Sequence, residues 1–75
     1  MTPVDVVFRY GTPPGEEELR AIAKAREVYG FRRISFDEKE MTVRVEYDAT
    51  RLNDDSVAAL LRGAGVDLRE RIALV

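Results

Sequence analysis

The residues best placed for chemistry in this sequence form a short loop rich in glycine and proline. The loop reads Gly11, Thr12, Pro13, Pro14 and Gly15. Such a loop ahead of a helix can hold a phosphate, because the backbone N–H groups at a helix start carry partial positive charge. However, glutamates occupy positions 16–18, and the loop contains no lysine or arginine. Because anions in the first turn repel a bound anion, the charges favour a tight turn with a rigid helix start.

The three glutamates at 16–18 are themselves a candidate site for a hard divalent cation. Successive residues of a helix are turned by about 100° from one another, so the three carboxylates do not converge. A calcium or magnesium ion needs several converging oxygen ligands. We therefore expect no such site here.

Composition excludes most catalytic and metal chemistry. The chain has 75 residues and contains neither cysteine nor histidine, which removes disulfides, thiolate metal sites and imidazole bases. The two serines, Ser35 and Ser56, have no evident general base. We therefore expect no enzymatic activity, no cofactor and no tight binding of the soft metals copper(I), zinc or mercury.

Charge and hydropathy narrow the partners further. Acidic residues number 14 and basic residues 12, which gives a formal net charge of −2, whereas nucleic-acid binders carry a basic surface. No apolar run approaches the ~18 residues of a membrane span. Asp5 also interrupts the apolar segment that an export signal would need. We expect no nucleic-acid partner, no membrane association and a cytoplasmic location.

Six segments of regular structure are predicted to position the loop. They are strands at 4–10, 31–36, 41–47 and 71–75, and helices from Glu16 to Gly30 and from the N-cap Asn53 to Gly65. Alternating apolar and polar residues indicate the strands, and the capping residue and the glycines delimit the helices. In the last strand one face carries Ile72 and Leu74, and the other carries Arg71, Ala73 and Val75.

The β-α-β-β-α-β order predicts the fold of a single domain covering 1–75. Right-handed crossovers place strands one and three in the centre of the sheet and strands two and four at its edges. The prediction is therefore an α+β, ferredoxin-like sandwich, with a four-stranded antiparallel sheet in the order 4-1-3-2. Two helices cover its apolar face, and the other face stays open to water.

The same pattern predicts which side chains are buried. The expected core is Val6, Phe8, Leu19, Ile22, Ile34, Val43, Val45, Leu60 and Leu61. A four-residue hairpin loop at 37–40 would set Phe36 opposite Met41 and Arg33 opposite Arg44. The expected open face has mixed charges and no aromatic residue on which an RNA base could stack. Its members are Asp5, Val7, Arg9, Arg33, Ser35, Thr42, Arg44 and Glu46.

Two stretches of the second half carry a family resemblance. Residues 41–52 read MTVRVEYDATRL, and residues 57–68 read VAALLRGAGVDL. They resemble the second half of a heavy-metal-associated domain, as found in copper chaperones and mercury-binding proteins. In that family a strand ends in Tyr-Asp, a turn leads into an Ala/Leu-rich helix, and Ala-Gly precedes the last strand. The resemblance implies the same ferredoxin-like fold.

The metal loop of that family, Gly-Met-Thr-Cys-x-x-Cys, is not reproduced. Gly11 and Thr12 match it, but Pro13 and Glu16 fall near the positions of the two cysteines. The aromatic residue that often follows Ala-Gly in the family is Val66 here. The resemblance therefore implies the fold without the soft-metal site.

Two functions from different classes fit these observations. The first is an interaction module of the heavy-metal-associated fold that binds an unknown protein partner or itself. The second is a small-molecule-sensing regulatory domain, similar to amino-acid-binding domains of the same topology. Domains of the second kind are usually appended to an enzyme, and strand four is the last element of this sequence, so the first is expected.

Two regions are candidates for the interacting surface. One is the loop of Gly11, Thr12, Pro13 and Pro14. The other is the final strand with Ile72, Leu74 and Val75, because an apolar edge strand with free backbone groups invites pairing. We expect a homodimer or a docked partner that covers this strand or the adjacent Val7 side of the sheet. A monomer with an uncovered edge is the competing expectation.

Overall fold

The computed structural model describes residues 2–74, and the six elements follow in the predicted order. The strands are β1 (Pro3–Tyr10), β2 (Arg33–Asp37), β3 (Thr42–Asp48) and β4 (Leu68–Leu74), and the helices are α1 (Glu16–Tyr29) and α2 (Asp54–Gly63). All four strands join one antiparallel sheet in the order β2-β3-β1-β4. The predicted ferredoxin-like α+β topology is confirmed. None of the helices within residues 2–74 is long and apolar enough to cross a membrane.

The helix ends follow the capping rules unequally. The Asn53 side chain accepts a hydrogen bond from the Ser56 N–H at 2.8 Å, which satisfies one of the free donors at the start of α2. Gly15 precedes α1 without a side-chain cap, and the acidic first turn complements the helix dipole there instead. Gly30 ends α1 in the left-handed conformation, at a φ of 77°, where its N–H donates to the Arg26 carbonyl.

The core lies between the helices and one face of the sheet. The buried apolar residues are Val6, Phe8, Tyr10, Ile22, Phe31, Val43, Val45, Tyr47, Val57, Ala58, Leu61, Val66 and Leu68. Ile34 and Leu60, both predicted to be in the core, pack against it while half-buried. Leu19 was also predicted there, but its side chain is 46% exposed. Helix α1 presents Ile22 and Ala25 to the core, and Leu19 lies on its flank with Arg26, two turns later.

The β2–β3 hairpin has a different register from the predicted one. Phe36 pairs with Val43 rather than Met41, and Ser35 rather than Arg33 lies opposite Arg44. The loop sits one residue later because the Asp37 carboxylate accepts hydrogen bonds from two loop N–H groups, at 3.1 and 3.2 Å. Strand pairing thus moves by two residues, which keeps every apolar side chain on the predicted face.

Strand β4 departs most from the prediction. It begins at Leu68, three residues before the predicted strand, and its pairing with β1 is interrupted twice by irregular register. Arg71 pairs with Phe8 and Ala73 with Val7, so Ile72 is the extra residue between them. The regular alternation predicted for this strand is therefore wrong at Ile72, whose side chain is 46% exposed.

Candidate functional site

The predicted interaction loop is tied to the start of β4. The Gly11 N–H donates to the Asp67 carbonyl at 2.9 Å, and the Thr12 hydroxyl donates to the Asp67 carboxylate at 3.3 Å. The Arg69 guanidinium donates to the same carboxylate oxygen at 3.0 Å. A Cβ at Gly11 would lie only 2.5 Å from that oxygen, so a larger residue there would push the ends of the Asp67 and Arg69 side chains aside. Pro13 remains exposed and Pro14 half-buried beside this tether.

The loop and the first turn of α1 provide few free ligands for an ion. The Thr12 hydroxyl already donates to Asp67, and of the three glutamates in the first turn of α1, Glu16 is paired with Arg20. Over residues 2–74 no three Asp or Glu side chains converge as a metal ion would require. The loop can therefore contact a partner as a surface, but it does not assemble a ligand set.

The predicted interface strand carries more charge than its last residues suggested. Three consecutive residues of β4 form ion pairs: Arg69 with Asp67, Glu70 with Arg9, and Arg71 with Asp54. Bulges and charged side chains are the usual protection of an edge strand against pairing. Leu74 pairs with Val6 in the backbone register, and Val75 lies outside the described residues.

The open face of the sheet has the predicted mixed charge. The Arg44 guanidinium donates to Asp5 at 2.6 Å across the β1–β3 pair, and Arg32 reaches Glu46 at 3.1 Å. These pairs are partly exposed and neutralise one another. This face therefore presents no concentrated field of one sign to a charged ligand.

A groove that the sequence did not predict runs between the two helices. It measures about 380 Å³ and is lined mostly by apolar side chains. Helix α1 contributes Ala21, Lys24, Ala25, Val28 and Tyr29, and helix α2 contributes Ala59, Leu60, Gly63 and Ala64. Because many of these residues are small, the side chains of the two helices do not fill the space between them. An apolar depression open to solvent is a typical place for another molecule to bind.

One wall of the groove ends in two exposed apolar side chains at the end of α1. Val28 is 66% exposed and Tyr29 is 48% exposed. Lys24 lies one turn before Val28, and Glu17 lies two turns before Lys24 on the same side of the helix. The groove is thus apolar along its floor, Lys24 lies on one wall, and Glu17 lies on the same side of α1 beyond the residues that line the groove.

A buried hydroxyl lies elsewhere in the core, at Tyr10. Its oxygen is shielded from solvent and has no hydrogen-bond partner among the described residues. Burial raises the pKa of the Tyr10 phenol, and the nearby charges of Glu38 and Asp37 raise it further. A phenol held neutral in this way is a poor nucleophile, so Tyr10 is a packing residue here.

The groove was missed because the pattern of α1 permits more than one apolar stripe. Sequence reasoning assigned Leu19 and Ile22 to the core, which left Ala21 and Val28 without a role. Ala21 and Val28 are seven residues apart and therefore share a helix face. That second apolar line is the signal that could have indicated an additional surface.

Comparisons of the chain with known protein families, with curated proteins and with solved structures find no match to any of the three.

Proposed function

We propose that this chain is a protein-interaction module, without catalytic activity, that binds an apolar protein surface in the groove between α1 and α2. What supports the proposal is the exposure of Val28 and Tyr29 beside a floor of small apolar residues. The cost of keeping such a surface in water is removed when a partner covers it. The partner offers apolar side chains to the floor and opposite charges to Glu17 and Lys24.

We further propose that the chain is a relative of the heavy-metal-associated domains in which the metal loop has become structural. The support is the topology together with the position of the loop. Gly11 and Thr12, which match that family's motif, are occupied in holding Asp67. A cytoplasmic location is part of the same proposal.

The amino-acid-sensing alternative has less support. A bound amino acid needs charged or polar partners for both its carboxylate and its ammonium group. Among the residues in the range 2–74 that line the groove, only Lys24 and Tyr29 bring polar side-chain atoms. A thermal-shift assay against an amino-acid panel tests this alternative, because a ligand of the native state must raise the unfolding midpoint.

Site-specific photo-crosslinking tests the proposed function. A photoreactive phenylalanine analogue replaces Val28 or Ala59 on the groove, and Ala23 on the exposed outer side of α1 is the matched control position. In the native cell we expect a discrete protein adduct from both groove positions and none from Ala23. The adduct should disappear when Leu60→Asp is added. Equal crosslinking from all three positions, or none, would contradict the proposal.

A further inference from the structure

Two charges of opposite sign stand without partners along the groove side of α1. Neither Glu17 nor Lys24 forms an ion pair or side-chain hydrogen bond with another residue in the described range 2–74. They are seven residues apart, which is about 10 Å along the helix axis. Ala21 lies between them and lines the groove. The order along this face is therefore anion, small residue, cation, and then the exposed Val28.

When two copies of this helix run antiparallel, the anion of each copy lies opposite the cation of the other, so the face is complementary to itself. We infer that the partner in the groove is a second copy of this chain, with the two α1 helices crossing near Ala21 about a two-fold axis; this inference rests on the proposed function. Each Glu17 then faces the partner's Lys24, so one chain supplies both halves of two ion pairs. An interface of this kind places the same patch on both subunits.

The remaining residues of the groove fit the same arrangement. Ala21 at the crossing lets the helices approach closely, and Arg20, its neighbour, is already paired with Glu16 at 3.1 Å. Val28 shares the helix face of Ala21 and lies two turns further along α1, so it extends the apolar contact on one side of the crossing.

The β4 edge of the sheet, predicted as an interface, is a weaker candidate for self-association. Strand β4 is bulged, and Arg69, Glu70 and Arg71 are occupied in ion pairs within the chain. Bulges and charged side chains both disfavour pairing of another strand with that edge. The helix face buries apolar surface and adds ion pairs without breaking any contact that the single chain makes.

A charge-exchange experiment on the full chain tests the inference. Sedimentation velocity over a range of concentrations should show a reversible monomer–dimer equilibrium for the wild type. Glu17→Lys and Lys24→Glu should each raise the dissociation constant about tenfold or more, because both contacts become like-charge pairs. Combining the two substitutions in one chain should restore the dimer. An equimolar mixture of the two single variants should also restore it, because every altered charge then faces its opposite.

Matched controls separate this interface from general charge effects. Glu27→Lys and Lys39→Glu make the same charge changes at exposed positions away from the groove and should leave the dimer unaffected. Val28→Asp should abolish the dimer while the circular dichroism spectrum remains native. A wild type that stays monomeric at several hundred micromolar would overturn the inference. A dissociation constant that neither charge reversal changes would also overturn the inference.

These outcomes are distinguishable from failure of the proposed function. If the purified chain is monomeric but Val28 still crosslinks in the cell, the adduct mass identifies a different protein as the occupant. The interaction function then stands and self-association is wrong. If neither experiment gives a signal at the groove, both proposals fail.

Discussion

Two side-chain oxygens show how single residues act on this fold in opposite directions. The Tyr10 hydroxyl is buried and unpaired, although its ring packs edge-on against Phe36 with centroids 5.7 Å apart. The Asp48 carboxylate instead accepts three hydrogen bonds at one oxygen, from the Thr2 N–H, the Thr50 N–H and the Thr50 hydroxyl. An unpaired buried polar group costs free energy, whereas hydrogen bonds to a carboxylate favour its charged form.

Replacing Tyr10 with phenylalanine should therefore stabilise the protein. The ring contact with Phe36 is kept and the unpaired hydroxyl is removed, so we expect the free energy of unfolding to rise by about 1 kcal/mol. Urea denaturation followed by circular dichroism measures the change. Tyr29→Phe, at a side chain that is 48% exposed, is the control and should leave stability unchanged. A destabilised Tyr10→Phe variant would mean that the hydroxyl has a partner in solution.

Asp48 should make stability depend on pH in the acid range. Its three hydrogen bonds hold its pKa at about 2, below the ordinary value of 3.8. A lowered folded-state pKa stabilises the protein above the unfolded-state pKa, and the contribution is lost as the pH falls through about 2. The stability difference between wild type and Asp48→Asn should thus be greatest at pH 6 and shrink towards pH 2. Glu27→Gln, which removes an exposed carboxylate on α1, is the matched control substitution.

Among the elements, β4 and α2 contribute to the core in different ways. Strand β4 completes the sheet beside β1, but its two irregularities place Ile72 in solvent and turn Arg71 towards Asp54 of α2. Helix α2 fills the core more completely, since Val57, Ala58 and Leu61 are all buried. The strand therefore protects an edge of the sheet, and the helix supplies the packing.

Substitutions in α2 should separate its core face from its groove face. Leu61 is 1% exposed, so Leu61→Ala should lower the free energy of unfolding by about 2–5 kcal/mol. Leu60 is half-buried and lines the groove, so Leu60→Ala should cost less than half as much. Chemical denaturation of both variants measures the two losses in the free energy of unfolding. Arg44→Ala on the open face is the control and should cost little. Equal losses at both leucines would contradict the orientation of the helix.

At the scale of the whole molecule, the described residues form one core, and the facing sides of the two helices leave a groove between them. A chain of this length buries only about 60% of the surface of its unfolded form. The groove between the helices is part of what stays uncovered. Binding of a partner to the folded state adds to its stability by mass action, so the groove links assembly to folding.

The thermal midpoint should consequently depend on protein concentration. For a dimer of this size we expect the midpoint to rise by about 5 °C for each tenfold increase in concentration. Val28→Asp should remove that dependence, because it places a charge in the apolar interface. Scanning calorimetry at three concentrations tests both statements. A wild-type midpoint that does not move would argue against any self-association coupled to folding.

The topology was predictable because it rests on local patterns that agree with one another. The alternation in β1 and β3, the Asn53 cap and the stop at Gly30 each depend on neighbouring residues alone. Handedness rules then leave one strand order for the sequence of elements. The buried faces of the central strands follow from the same alternation, because a strand has only two faces.

The sequence by itself therefore determined the order of elements, the strand order, the faces of the sheet and the absence of thiolate and imidazole chemistry. Tertiary structure alone decided the rotation of α1 and the bulges of β4, whereas the hairpin register depends on the local hydrogen bonds that Asp37 accepts from the loop. A helix with apolar residues on several sides can bury any of them, and only packing against the sheet selected Ile22 and Ala25 over Leu19. The groove also depends on tertiary structure. It exists because small side chains of α1 and α2, which are distant in sequence, face each other across the gap between the helices.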